Sequence, residues 1–297
     1  MVASTVAPPV TEGIVAGLAF RNPVLLAAGT AGFGRELDGL YDLDLLGGLV
    51  TKAVSLEPRA GNPPPRVAEF PGGMINSVGL ANPGLQQVVT EELPWLVRRL
   101  SRARILVNVV GFQEHEYLQI VRRLDAVPGL SGYEVNLSCP NTAAGGLEFG
   151  ADRGAVARIL ESCRLATERP LFAKLSPGLA DIADVAAAAM AAGATGLTVV
   201  NTLPGFFLRE GRPVLGQGNG GVSGPALLPV GVLAVKRIVD RLGSVPIIGV
   251  GGIRSAADAR QYLAAGASLV AIGTAALADP RLPVRIAREL EAQGWPS

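Results

Sequence analysis

The chain has 297 residues, 26 lysines and arginines against 25 aspartates and glutamates, one histidine and two cysteines. That even balance offers no basic field for a nucleic-acid backbone. His115 alone cannot build a histidine metal cluster, and Cys139 with Cys163 are too few thiols for a disulfide framework or a self-contained iron–sulfur cluster.

The opening "MVASTVAPPVTEG" has neither the basic nor the apolar region of a secretion leader, so a reducing cytoplasm is the expected compartment. Runs rich in β-branched residues then recur, at Val24–Ala28, Leu49–Ala53, Ile105–Val109, Tyr133–Asn136, Leu171–Lys174, Leu197–Val200, Ile247–Val250 and Leu269–Ile272. Helical patterns separate them. Alternating strand and helix with right-handed crossovers predicts an α/β fold, a (β/α)8 TIM barrel in one domain over residues 1–297, with an open doubly wound sheet as the alternative. Asp181 precedes "IADVAAAAMAAG" as a helix cap, and Gly193 supplies its stop. The apolar run Val185–Val200 is broken by Gly193 and Gly196 and is too short to span a membrane. Two connections exceed what a crossover needs: an insertion after strand 2, Val54–Arg104, and a long loop after strand 6, Asn201–Val245. Both follow strands, so both are expected on the rim where barrel active sites lie.

At the strand ends stand Lys52, Asn108, Asn136, Lys174, Asn201 with Thr202, Gly251 with Gly252, and Gly273 with Thr274. Single polar residues there need no function, because chains turn toward water. So many amides and cations on successive strands point instead to a ligand. "PIIGVGGIRSAADA" and "LVAIGTAAL" each run a strand into glycine and then a helix, leaving N–H groups for a phosphate, although tight turns also use glycine. "GQGNGG", Gly216–Gly221, fits a dinucleotide pattern but neither follows a strand nor opens a helix, and is read as loop. His115 falls on a solvated helical face, while Cys163 shares helical spacing with Ile159 and Leu160 and is read as core. In "YEVNLSCPN", by contrast, a strand runs straight into a loop that presents Cys139.

Taken together, "NPVLLAAGTAGFG", "VTKAVSLEPRAGNPPPR", "GGMINSVGLANPG", "VNLSCPN", "FAKLSP", "VVNT", "GGVSGP", "IIGVGGI" and "AIGTA" resemble the class 1 dihydroorotate dehydrogenases over nearly the whole chain. "NLSCPNTAAGGLEFG" and "GRPVLGQGNGGVSGP" are similar to the class 1B branch. The resemblance implies FMN contacts at Ala28, Lys52, Ala53, Asn108, Asn136, Lys174, Val200, Gly224, Gly251, Gly252, Gly273 and Thr274. It implies dihydroorotate contacts at Lys52, Asn76, Ser77, Val78, Gly79, Leu80, Asn136, Asn201 and Thr202, with Cys139 as base. Many relatives carry serine where this chain has Ala28, so any contact there is through backbone.

Oxidising a dihydropyrimidine removes a proton from C5 and a hydride from C6, so a base and a flavin must face different atoms of one ring. A thiolate suits the first task, Lys52 a substrate carboxylate and Lys174 negative charge growing on the flavin; asparagines can both donate to and accept from an amide-rich ring. The class 1B likeness further implies a homodimer joined to a second subunit carrying FAD and a [2Fe-2S] cluster, electrons ending on NAD. Other readings stay open: a class 1A-like homodimer using fumarate, a reductase resembling dihydropyrimidine dehydrogenase, a flavin-dependent tRNA dihydrouridine synthase, or a catalytically silent phosphate-binding barrel. Neither nucleic acid nor membrane is an expected partner. Gly145 and Gly146 allow a lid over Cys139.

Overall fold

The computed structural model describes residues 12–138, 140–141 and 147–295. Parallel strands β1 (Val24–Leu26), β2 (Gly48–Val50), β3 (Arg104–Val109), β4 (Gly132–Asn136), β5 (Leu171–Leu175), β6 (Gly196–Val199), β7 (Ile247–Val250) and β8 (Leu269–Ile272) pair in chain order, and β8 closes on β1. This is the expected (β/α)8 barrel. Side chains alternate between its two faces. Leu25, Val50, Leu106, Phe172, Ile248 and Leu269 turn inward as one apolar cluster, whereas Leu26, Leu49, Ile105, Val135 and Val270 face the helices. Strands buried on both faces therefore read as nearly unbroken apolar runs.

The helices around the barrel are α1 (Leu93–Arg99), α2 (Glu114–Asp125), α3 (Arg153–Arg164), α4 (Ile182–Ala191), α5 (Leu228–Leu242), α6 (Ala256–Ala264), α7 (Thr274–Ala278) and α8 (Leu282–Glu291). Their starts are written locally. Asp181 accepts from Asp184 N at α4, and Asp152 accepts from Gly154 N at α3. In α2 the buried residues Tyr117, Ile120, Val121 and Leu124 recur at helical spacing. Each such burial contributes about 1.5–3 kcal/mol against exposure. His115 sits on the exposed face of α2, and Cys163 is buried in α3, as the sequence predicts.

Strict alternation fails once. Between β1 and β2 the chain makes only two short 3-10 turns, Arg35–Leu37 and Leu43–Leu45. The reason is composition: Gly29, Gly32, Gly34 and Gly39 all hold positive φ there, which no helix accommodates.

An antiparallel pair, Gly13–Val15 with Leu18–Phe20, adds Val15 and Phe20 to the inner apolar cluster. At the other rim the two long connections combine. Leu203–Phe206, Asn219–Ser223, Gly73–Asn76 and Val67–Phe70 form one antiparallel sheet in that order. Asn219–Gly221, read from sequence as loop, is thus strand; its partners lie in segments too far away for local pattern to reveal them. Among the described residues no helix is long and apolar enough to cross a membrane.

Candidate active site

One step above the apolar inner layer, period two brings polar groups into the barrel. Asn108 (β3) lies level with Glu134 (β4) in the ladder, and Asn136 (β4), Lys174 (β5) and Thr198 (β6) lie level with one another. These residues are buried, with Thr198 0%, Asn108 1%, Glu134 1% and Lys174 6% exposed. Glu134 organises the layer: one of its oxygens, Oε1, accepts from Asn108 Nδ2 at 2.6 Å and from Lys174 Nζ at 3.2 Å. Asn108 Oδ1 and Thr198 Oγ1 have no hydrogen-bond partner among the described residues. Buried polar atoms left bare in a native core await a ligand or water.

Toward the rim, Asn201 Nδ2 donates to Asn136 Oδ1 at 3.4 Å, and Tyr117 Oη donates to the Asn136 carbonyl at 2.8 Å. The side chain of Asn136 thereby stands between two strand ends while its backbone is held from α2. The rim sheet delivers the next group. Asn76 Nδ2 donates to the Gly221 carbonyl at 3.3 Å, and Thr202 packs against Gly221 so closely that a Cβ there would collide with its hydroxyl. Ser77 Oγ accepts from Asn62 Nδ2 at 2.7 Å, and Val78 O accepts from Asn62 N at 3.2 Å. Gly79 and Leu80 both take left-handed backbone, φ 72° and 58°. For leucine that conformation is costly and marks a loop held by its surroundings. Asn82 does the holding, donating to Leu80 O at 2.8 Å and accepting from Gly84 N at 2.9 Å.

The glycine loops after β7 and β8 differ from each other. Gly251 and Gly252 have φ 124° and 76°, and a Cβ on Gly252 would sit 2.5 Å from Leu228 N. The next helix, α6, begins only after Ser255, whose hydroxyl accepts from Asp258 N. A serine cap three residues after the glycines thus takes one of its N–H groups. In contrast α7 starts directly at Gly273 with no side-chain cap, and Thr274 Oγ1 donates to Ser223 Oγ at 2.8 Å. Gly224 beside it holds φ 95°.

Of the residues picked from sequence, Asn108, Lys174, Asn136 and Asn201 share the barrel mouth, with Asn76 and Thr202 joined by Gly221 and Thr274 joined to the rim sheet. Ala28 follows β1; Lys52 and Ala53 follow β2, with Lys52 N bonded to Gly32 O; Val200 N is bonded to Val250 O, all at the same strand ends. Lys174 departs from expectation in one respect, because its ammonium is already paired with Glu134. Cys139, Gly145 and Gly146 lie outside the described residues. Sequence reading missed Glu134, Thr198, Asn62 and Asn82. For Glu134 a signal existed: a carboxylate two residues before Asn136 in an otherwise buried strand must share its inward face. The other thiol is set apart, since burial pushes Cys163 up to about 12. Among the described residues no cluster of His, Cys, Asp and Glu could hold a metal ion.

Fold and site together define a parallel α/β barrel whose mouth gathers amides, a glutamate-paired lysine and glycine-bare backbone. The chain belongs to the dihydroorotate dehydrogenase family, whose model matches residues 11–293. It is 45% identical over 279 residues to the dihydroorotate dehydrogenase B (NAD(+)) catalytic subunit of Pelobacter propionicus, covering 93% of this chain and 91% of that one. The same-named subunit of Trichlorobacter lovleyi is 44% identical over 279 residues, with the same coverage of both chains. That of Desulforudis audaxviator is 46% identical over 283 residues, covering 95% of this chain and 91% of its own.

Proposed function

We propose that this protein oxidises dihydroorotate to orotate in pyrimidine synthesis, as the FMN-carrying catalytic subunit of an NAD-linked enzyme, the chain serving as one cofactor-binding barrel domain. The observation that carries the reading is the convergence of Asn108, Asn136, Lys174 and Asn201 at one mouth, in a chain similar along its length to subunits of that name. The residues suit FMN. Bare acceptors at Asn108 Oδ1 and Thr198 Oγ1 match the N–H and O–H donors of a polar ring system, and the uncapped start of α7 with Gly252 and Gly273 suits a phosphate.

Residues in the FMN-holding role are Ala28, Lys52, Ala53, Asn108, Asn136, Lys174, Val200, Gly224, Gly251, Gly252, Gly273 and Thr274. When bound, FMN supplies a two-electron acceptor for the hydride leaving C6. Dihydroorotate is held by Lys52, Asn76, Ser77, Val78, Gly79, Leu80, Asn136, Asn201 and Thr202. Lys52 takes its carboxylate as a point charge, and the asparagines match the donors and acceptors of its imide edge. Cys139 as thiolate takes the C5 proton, which puts negative charge on the ring next to the Lys52 cation. Water is kept from the ring by the rim sheet, whose strands bring Asn76 and Thr202 together through Gly221.

A homodimer joined to a FAD and [2Fe-2S] subunit in a heterotetramer, working in the cytoplasm, is part of the same reading. The tests are direct. Cys139→Ala is expected to slow anaerobic flavin reduction by dihydroorotate at neutral pH at least about a hundredfold, and a near wild-type rate would remove Cys139 from the mechanism. The chain purified alone is expected to reduce NAD poorly. Efficient NAD or fumarate reduction by the isolated chain would refute the proposed partner.

A further inference from the structure

Glu134 is a full charge in the interior of the barrel, 1% exposed, and a carboxylate is not placed there for packing. Its Oε1 is shared between two groups on the neighbouring strands, Asn108 Nδ2 at 2.6 Å and Lys174 Nζ at 3.2 Å. This sharing decides what each partner has left to offer. Asn108 is an ambidextrous amide whose orientation is set by the bond from Nδ2 to Glu134, which leaves Oδ1 buried and bare among the described residues. Asn108 is thus oriented with Oδ1 presented to accept from a ligand N–H, and one of its two Nδ2 protons is spent on Glu134. Lys174 spends one proton on Glu134 and keeps its remaining protons for a ligand, while its net charge is cancelled by the carboxylate beside it. Thr198 Oγ1, level with Lys174 on the next strand and equally bare, adds a hydroxyl that can rotate to serve whichever atom arrives.

We propose that Glu134 is a positioning residue that fixes the acceptor face of Asn108 and the net charge of Lys174 toward the bound flavin, thereby setting the flavin's affinity and reduction equilibrium. The inference rests on the FMN reading above. Its physical consequence has a sign. Adding electrons to a flavin adds negative charge, so a nearby carboxylate makes reduction harder than an uncompensated lysine would. Removing the charge of Glu134 while leaving an acceptor in place must make the flavin easier to reduce. Removing the acceptor as well must release the Asn108 amide and weaken cofactor binding.

Three variants separate these effects in the flavin-loaded protein. Glu134→Gln keeps an acceptor and loses the charge, and is expected to shift the reduction equilibrium at least tenfold toward reduced flavin, about 30 mV for a two-electron couple. Glu134→Leu loses both, and is expected to weaken FMN binding at least tenfold, measured by quenching of flavin fluorescence on titration into apoprotein. In Glu134→Leu/Lys174→Met neither buried charge remains, so thermal stability is expected to recover while FMN affinity stays low. Low affinity in that double variant also reflects the loss of Lys174, so the near-isosteric Glu134→Gln keeps the test decisive where Glu134→Leu fails to fold. A midpoint potential unchanged in Glu134→Gln, or FMN affinity within twofold of wild type in either leucine-containing variant, would overturn the proposal and leave Glu134 a structural ion-pair partner. A wild-type protein that takes up no FMN would overturn this inference and the FMN reading together, whereas loaded wild type with unperturbed variants overturns this inference alone.

Discussion

Replacing Gly252 by alanine probes whether the loop after β7 is built for close approach. The residue holds φ 76°, a left-handed conformation that costs an alanine about 1–2 kcal/mol. A Cβ would in addition stand 2.5 Å from Leu228 N, 2.7 Å from Leu228 Cβ and 2.8 Å from Leu228 Cα. Those are the first atoms of α5, not the end of a flexible side chain, so the loop and helix must part. Overpacking of that kind adds about 1–3 kcal/mol. Gly17, in the turn of the Gly13–Phe20 pair, supplies the control: φ 78°, with nothing within 4 Å of an added Cβ. Gly17→Ala bears the conformational cost alone. Thermal unfolding of both apoproteins is therefore expected to place Gly252→Ala below Gly17→Ala by about 2–4 °C for each kcal/mol of that extra term. Flavin titration is expected to show at least tenfold weaker FMN binding for Gly252→Ala and unchanged binding for Gly17→Ala. Equal melting temperatures and equal FMN affinities in the two variants would show that Gly252 is not needed for close approach to Leu228 or to FMN.

Three other outcomes follow from buried or bonded groups. Tyr117→Phe removes the donor to the Asn136 carbonyl and is expected to cost about 1–2 kcal/mol in urea denaturation, with weaker substrate binding because Asn136 loses its anchor. Asp44 is partly desolvated, which works against its charge, but hydrogen bonds from Ala103 N, the Ser101 hydroxyl, Arg102 N and Ser101 N prevail and hold its carboxyl below the usual range. A depressed folded value means stability present above the unfolded value and lost as pH falls through the folded one. Asp44→Asn is accordingly expected to be destabilised by about 1 kcal/mol at pH ~7, discounted for partial exposure, with the gap to wild type narrowing as pH falls below the usual carboxylate range. Cys163, raised to about 12 by burial, is expected to resist thiol reagents in a Cys139→Ser background at pH ~8 and to react on unfolding; rapid native labelling would contradict its placement in the core.

The barrel was legible because each of its strands is a short apolar run between helical patterns, and because helix starts such as Asp181 carry their own cap. Asn108, Asn136, Lys174 and Asn201 were legible because the ends of parallel strands share one rim. What escaped was non-local. Glu134 acquires its role from Asn108, 26 residues away, and Lys174, 40 residues away, and nothing in "YEVN" names either partner. The rim sheet likewise pairs Gly73–Asn76 with Asn219–Ser223, so its strands have no neighbouring turn to betray them. Asn76 to Leu80 carry no periodic signal at all and were found through family resemblance alone. The Ser255 cap is written in "SAAD", three residues beyond the glycines that end the strand. The missing helix after β1 shows the reverse case, a local glycine pattern overriding the global alternation.

Whether the barrel mouth holds a flavin against dihydroorotate is decided by an anaerobic titration of the purified, FMN-loaded chain. Dihydroorotate is expected to bleach the visible flavin band with formation of one orotate per flavin. A flavin that stays oxidised with dihydroorotate but bleaches with a chemical reductant would contradict it.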